Sequence, residues 1–70
     1  MKVIEVIFEN KFLENVVGIA KQYEIEDFWI SAVGQDGRHF SRLVVRPSDT
    51  QNILDALQGA LGKNLKQVHY

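Results

Sequence analysis

Asp36-Gly37 lies between two β-prone runs, and no other feature constrains the fold of this chain so tightly. A dipeptide of this kind tolerates positive φ at both residues, as a type I′ turn requires, so Asp27 to Pro47 reads as a β-hairpin. A two-residue turn dictates the pairs. Gln35 faces Arg38, Val33 faces Phe40, Ser31 faces Arg42, Ile30 faces Leu43, Trp29 faces Val44, and Phe28 faces Val45. Opposed residues share a face of a sheet, so the hairpin sorts into two surfaces. Phe28, Ile30, Ala32, Ser41, Leu43 and Val45 make a core face. The other face carries Trp29, Ser31, Val33, Phe40, Arg42 and Val44, with Asp27 near Arg46. It is too apolar for a plain solvent face, yet Arg42 interrupts it.

The flanking segments supply covering layers. Ile4, Val6 and Phe8 alternate with Val3, Glu5 and Ile7, and a strand apolar on both sides belongs in the middle of a sheet. Asn10 offers an N-cap oxygen to a helix whose apolar arc is Phe12, Leu13, Val16, Val17, Ile19, Ala20 and Tyr23. Gly18 falls on the polar side of that helix, where it costs about 1 kcal/mol relative to Ala. Pro47 ends the hairpin, and Ser48-Asp49-Thr50-Gln51 has the form of a capping box. A second apolar stripe follows at Ile53, Leu54, Ala56, Leu57, Ala60 and Leu61, stopped by Gly62-Lys63. Leu65 to Tyr70 reads as a short last strand. The order is βαββαβ. It predicts an α+β fold of the ferredoxin-like plait type, one domain over residues 1–70. In it, a four-stranded antiparallel sheet carries two helices on one face, with strands one and three central. The helix-free face then presents Val3, Glu5, Ile7, Trp29, Val33, Phe40, Arg42 and Val44.

Two resemblances follow from these residues. Met1 to Ile7, Glu24-Ile25-Glu26 and Val33-Gly34 resemble the nitrogen-regulatory PII proteins, which share the βαββαβ order and form effector-binding trimers. Here Asp36-Gly37 replaces the long loop between strands two and three of that family. Pro47-Ser48-Asp49-Thr50 also lacks the glycine of the family's nucleotide loop. A resemblance over the whole chain is to the N-terminal domain of a family of hydrophobic membrane proteins of bacteria and archaea. It rests on Met1 to Ile7, Glu26-Asp27-Phe28-Trp29 and Val44 to Leu57. It implies a domain that precedes membrane helices, and it implies no site residues.

The chemistry-bearing residues are sparse. His39 and His69 are the only histidines, and neither has a carboxylate or second histidine near it in sequence, so a metal site is not expected. Asp36 is accounted for by the turn and Asp49 by a helix N-terminus. Glu5 lies between Val3 and Ile7 on the open face and needs a partner, for which Arg42 is the candidate. No serine has a base arranged to activate it. The expectation is therefore no catalytic residue, no metal and no cofactor. Trp29 and Phe40 near Arg38, Arg42 and Arg46 faintly echo an RNA-binding sheet, but a net charge of −1 supplies no field to gather nucleic acid. Cysteine is absent, and no apolar run approaches the ~20 residues of a membrane helix, which fits a cytoplasmic domain with no membrane insertion of its own. A membrane-bound parent protein would still be its neighbour under the second resemblance.

The expected role is a non-catalytic regulatory or assembly module, a homo-oligomer joined through the open sheet face. A dimer is favoured over a trimer. The competing expectation is a small-molecule sensor of the PII or amino-acid-binding type, with its effector between subunits.

Overall fold

The structure, a computed structural model, describes residues 1–62 and the backbone of residues 66–69. Strand β1 (Lys2–Glu9) runs into a single 3-10 turn, Asn10–Phe12, and then helix α1 (Leu13–Gln22). Strands β2 (Asp27–Ile30) and β3 (Arg38–Val45) follow, then a second 3-10 turn, Pro47–Asp49, and helix α2 (Thr50–Leu61). The fold is α+β. An antiparallel sheet in the order β2-β3-β1 carries both helices on one face. Beyond α2, the backbone of β4 (Lys66–His69) runs antiparallel to β1, with Glu5 opposite Val68. Of the last strand expected over Leu65 to Tyr70, residues 65 and 70 and all the side chains lie outside the described residues.

Period-two patterning explains which side is buried. Ile4, Val6 and Phe8 of β1 and Leu43 and Val45 of β3 are buried, together with Val16, Ile19 and Ala20 of α1 and Ile53, Leu57 and Leu61 of α2. Phe28 and Ile30 of β2 are half-buried against the same cluster. Ser41 sits fully buried among them because its hydroxyl donates to the Val6 carbonyl, at 3.2 Å. That bond offsets the cost of a polar group in the core.

The hairpin differs from the expected one in register, and in faces only at Ala32 and Val33, which lie exposed beyond the end of β2. Observed partners are Asp27–Val44, Phe28–Leu43, Trp29–Arg42 and Ile30–Ser41, each displaced by two residues from the two-residue-turn scheme. The Gly37 amide donates to the Gly34 carbonyl at 3.0 Å, and the Gly34 amide donates to the Arg38 carbonyl at 2.8 Å. The loop is thus three residues, Gln35-Asp36-Gly37. Gly37 takes the left-handed conformation at φ 79°, whereas Asp36 does not have the positive φ that a type I′ turn demands. The Asp36 carboxylate instead accepts the Arg38 amide at 3.1 Å and the Arg38 guanidinium at 2.8 Å, which fixes the loop locally. Arg38 also holds the Asp36 carboxyl below its ordinary range.

One extra loop residue would turn every side chain of β2 onto the opposite face. A second slip cancels it. The Ser31 amide donates to the Phe40 carbonyl, so Ala32 and Val33 together stand against His39 alone. This two-against-one bulge restores the parity.

Both helix starts also differ from expectation. Asn10 does not cap α1, and its side chain is engaged by His39. The capping box at Ser48 does not form. Pro47–Asp49 is a 3-10 turn, the Thr50 hydroxyl donates to the Arg46 carbonyl, and Gln51 reaches forward to Asp55. Helix α2 does stop at Gly62, which has φ 55°.

The end of α1 carries a six-to-one and five-to-two pair of bonds. The Ile25 amide donates to the Ala20 carbonyl at 2.9 Å, and the Glu24 amide to the Lys21 carbonyl at 3.2 Å. This closure places the middle residue in the left-handed region, where Glu24 has φ 53°. Ile25 then buries against the core beside Ala20. Glycine adopts that conformation without the Cβ penalty, so Glu24→Gly should stabilise the fold by about 0.5–1 kcal/mol in urea denaturation. At the exposed Gly18, a Cβ would meet nothing within 4 Å, so no close approach explains that glycine. Gly18→Ala should therefore raise stability by about 1 kcal/mol in the same measurement.

Candidate functional site: the helix-free sheet face

The residues expected on the open face are brought together, with one exception. Cross-strand pairing sets Glu5 opposite Arg42 and Arg42 opposite Trp29, so three side chains form one row across three strands. The Arg42 Nη2 donates to Glu5 Oε2 at 2.7 Å and its Nε donates to the same oxygen at 3.2 Å. The guanidinium carbon lies 5.4 Å from the centroid of the Trp29 ring. Arg42 is therefore held between a carboxylate and an aromatic face, an arrangement that favours Arg over Lys because the planar group can do both at once. The side chain of Glu5 is only 12% exposed, so this ion pair is partly shielded from water.

Apolar rows flank this charged one. Val3 pairs with Val44 on one side and Ile7 with Phe40 on the other. Trp29 is the largest exposed apolar side chain of the face at 56%, and Ile7 is also exposed. Val33 is the exception. It lies in the bulge beyond the end of β2, exposed, and Phe40 is opposite Ser31 instead. Asp27 pairs with Val44 instead of Arg46, whose guanidinium is bound to Asp49 at 2.8 Å. Both differences have one cause, the two-residue displacement of the hairpin.

A buried polar cluster at the loop end of the sheet escaped the reading of the sequence. The centre of the cluster is His39. It is only 7% exposed and stacks on Phe8 with ring centroids 5.4 Å apart. Its Nδ1 lies 2.8 Å from the Ser31 carbonyl oxygen and its Nε2 lies 2.7 Å from the Asn10 side-chain oxygen. The Asn10 amide also donates to the Gly37 carbonyl at 2.9 Å. The one available signal was parity, which puts His39 on the face of Ser41, Leu43 and Val45.

At the opposite end of the sheet, a cavity of about 270 Å³ opens between the Tyr23–Asp27 turn and Arg46, with Val44, Asp49 and Ile53 in its wall. Among the described residues, no three His, Cys, Asp or Glu side chains converge to hold a metal ion. No helix among them is long and apolar enough to cross a membrane.

A double-mutant cycle on Glu5→Gln and Arg42→Met should return a coupling of about 1 kcal/mol, above the usual exposed-pair value because Glu5 is mostly shielded. Equilibrium unfolding of the four proteins measures it. No family model matches the chain, and no curated protein matches it significantly.

Proposed function

We propose that this chain is a ferredoxin-like plait domain that works without catalysis, as a regulatory or assembly module pairing with a second copy through its helix-free face. The observation that carries the reading is the half-exposed Trp29 in a face with Val3, Ile7, Phe40 and Val44. Soluble proteins rarely leave large aromatic and aliphatic groups together at the surface without a use for them. Both helices already cover the other face, so the chain has no described element left to shield this one. The charges in the middle suit burial against a like surface, since Glu5 and Arg42 neutralise each other within one copy. A two-fold contact needs such a self-complementary patch. The pairing of Lys66–His69 with β1 supports the four-stranded plait form of the fold. The module would serve either as a free-standing protein or as the domain next to membrane helices in a longer one.

A second reading, a small-molecule sensor, is favoured by the cavity beside the Tyr23–Asp27 turn, because Val44 belongs both to its wall and to the open face. At about 270 Å³ it would take only a compact ligand of amino-acid size. Under that reading, association would respond to the ligand; under the first, the ligand-free chain pairs by itself.

Sedimentation equilibrium separates these. The wild-type chain should sediment as a dimer, Trp29→Glu and Val44→Lys should sediment as monomers, and Lys21→Glu on the far side of α1 should leave the dimer unchanged. A wild-type monomer at high protein concentration would overturn the assembly reading.

A further inference from the structure

His39 is a buried titratable group that the sheet-face reading leaves unused, and its surroundings are unusual in one respect. Both ring nitrogens stand against oxygen atoms: Nδ1 against the Ser31 carbonyl at 2.8 Å, and Nε2 against the Asn10 amide oxygen at 2.7 Å. A carbonyl oxygen only accepts, so this arrangement is satisfied when both nitrogens carry protons, which is the imidazolium form. The two ends of the contact are not equivalent. The Ser31 oxygen is main chain, locked where the Ser31 amide donates to Phe40, and it always demands a donor. The Asn10 group is a side-chain amide on an exposed residue, and a half-turn about its last bond exchanges its oxygen for its NH2.

We propose that the Asn10 amide and His39 form a proton-coupled switch, in which the charge on the buried ring decides which end of the amide faces outward at the start of the first 3-10 turn. In the imidazolium state, Nδ1–H donates to Ser31 and Nε2–H donates to the Asn10 oxygen, leaving the NH2 facing solvent. When the Nε2 proton leaves to water, Nδ1–H keeps its bond to Ser31. The amide turns over, and its NH2 donates to the bare Nε2 while its oxygen faces solvent. The surface beside the hairpin loop thereby changes from a hydrogen-bond donor to an acceptor. Among the described residues, the charged side chains adjacent in sequence to Asn10 and His39 are paired. Glu9 pairs with Lys11 at 3.8 Å, and Asp36 pairs with Arg38 at 2.8 Å, so within those pairs no carboxylate is committed to the ring. Ser31 contributes only its carbonyl, and Phe8 an apolar ring face. This inference is independent of whether the sheet face pairs with a second copy.

Nitrogen-15 NMR of the whole chain as a function of pH tests it, with His69→Gln to identify the His39 signals. The expected result has three parts. His39 titrates within the folded range, its neutral form is the Nδ1–H tautomer, and the Asn10 side-chain NH2 resonances move along the same titration curve. In Asn10→Ala, which keeps the backbone bond to Gly37, the His39 titration should persist while the amide response vanishes. A neutral form protonated at Nε2, Asn10 amide signals that ignore the His39 curve, or a His39 that keeps one charge state until the protein unfolds would each overturn the proposal.

Discussion

The ladder between β1 and β3 is the constraint on which the rest depends. All eight residues of β1 are paired, from Lys2 opposite Val45 to Glu9 opposite Arg38, and the register fixes both faces together. One parity sends Ile4, Val6, Phe8, Ser41, Leu43 and Val45 under the helices. The other places Glu5 against Arg42 and Ile7 against Phe40 on the side without helices. A slip of β1 by one residue would put Glu5 in the core and Ile4, Val6 and Phe8 in water, so the register is specified by burial far more strongly than by any single contact. The β2 strand, with only four residues, adds itself to an edge that the longer pair has already defined.

The two ends of the sheet are held in different ways. At the loop end the fastening is polar: Asp36 with Arg38 inside the loop, Gly37 with the Asn10 amide, and His39 between Asn10 and Ser31. These bonds join the first 3-10 turn to the hairpin, segments nearly thirty residues apart in the chain. At the other end the fastening is mainly packing, with Ile25 tucked beside Ala20 by the reversal at Glu24, and with Arg46 and Asp49 closing the start of α2. The open face lies between these ends, and its central charged pair, Glu5 with Arg42, is internally neutralised. Around that pair the exposed apolar side chains are Trp29 and Ile7.

The order of elements from β1 to α2, the helix-covered face and the open face apart from Val33 were legible in periodicity, because side chains alternate along a regular strand whatever the exact pairing. The Glu5–Arg42 pair was legible for the same reason, since a carboxylate between two valine-like neighbours on a central strand needs a cation across from it. The hairpin register was not. Asp36-Gly37 fits several loops, and the choice of a three-residue loop with a compensating bulge follows from tertiary demands on both sides of β2. Local capping signals failed where a stronger partner existed. Asn10 was taken by a histidine that arrives from β3, and Ser48 was bypassed because Pro47–Asp49 tightened into a 3-10 turn with Arg46 bound to Asp49.

The amino-acid sequence by itself therefore determined the apolar core of β1, β3 and the two helices, through the two- and 3.6-residue periods, but not the bulge at Ala32-Val33 or the burial of His39. Only the tertiary structure decided which polar groups meet. Whether an asparagine caps a helix or holds a buried histidine depends on a residue 29 positions away along the chain, brought within 2.7 Å by the β1–β3 ladder. No local pattern encodes a distance of that kind.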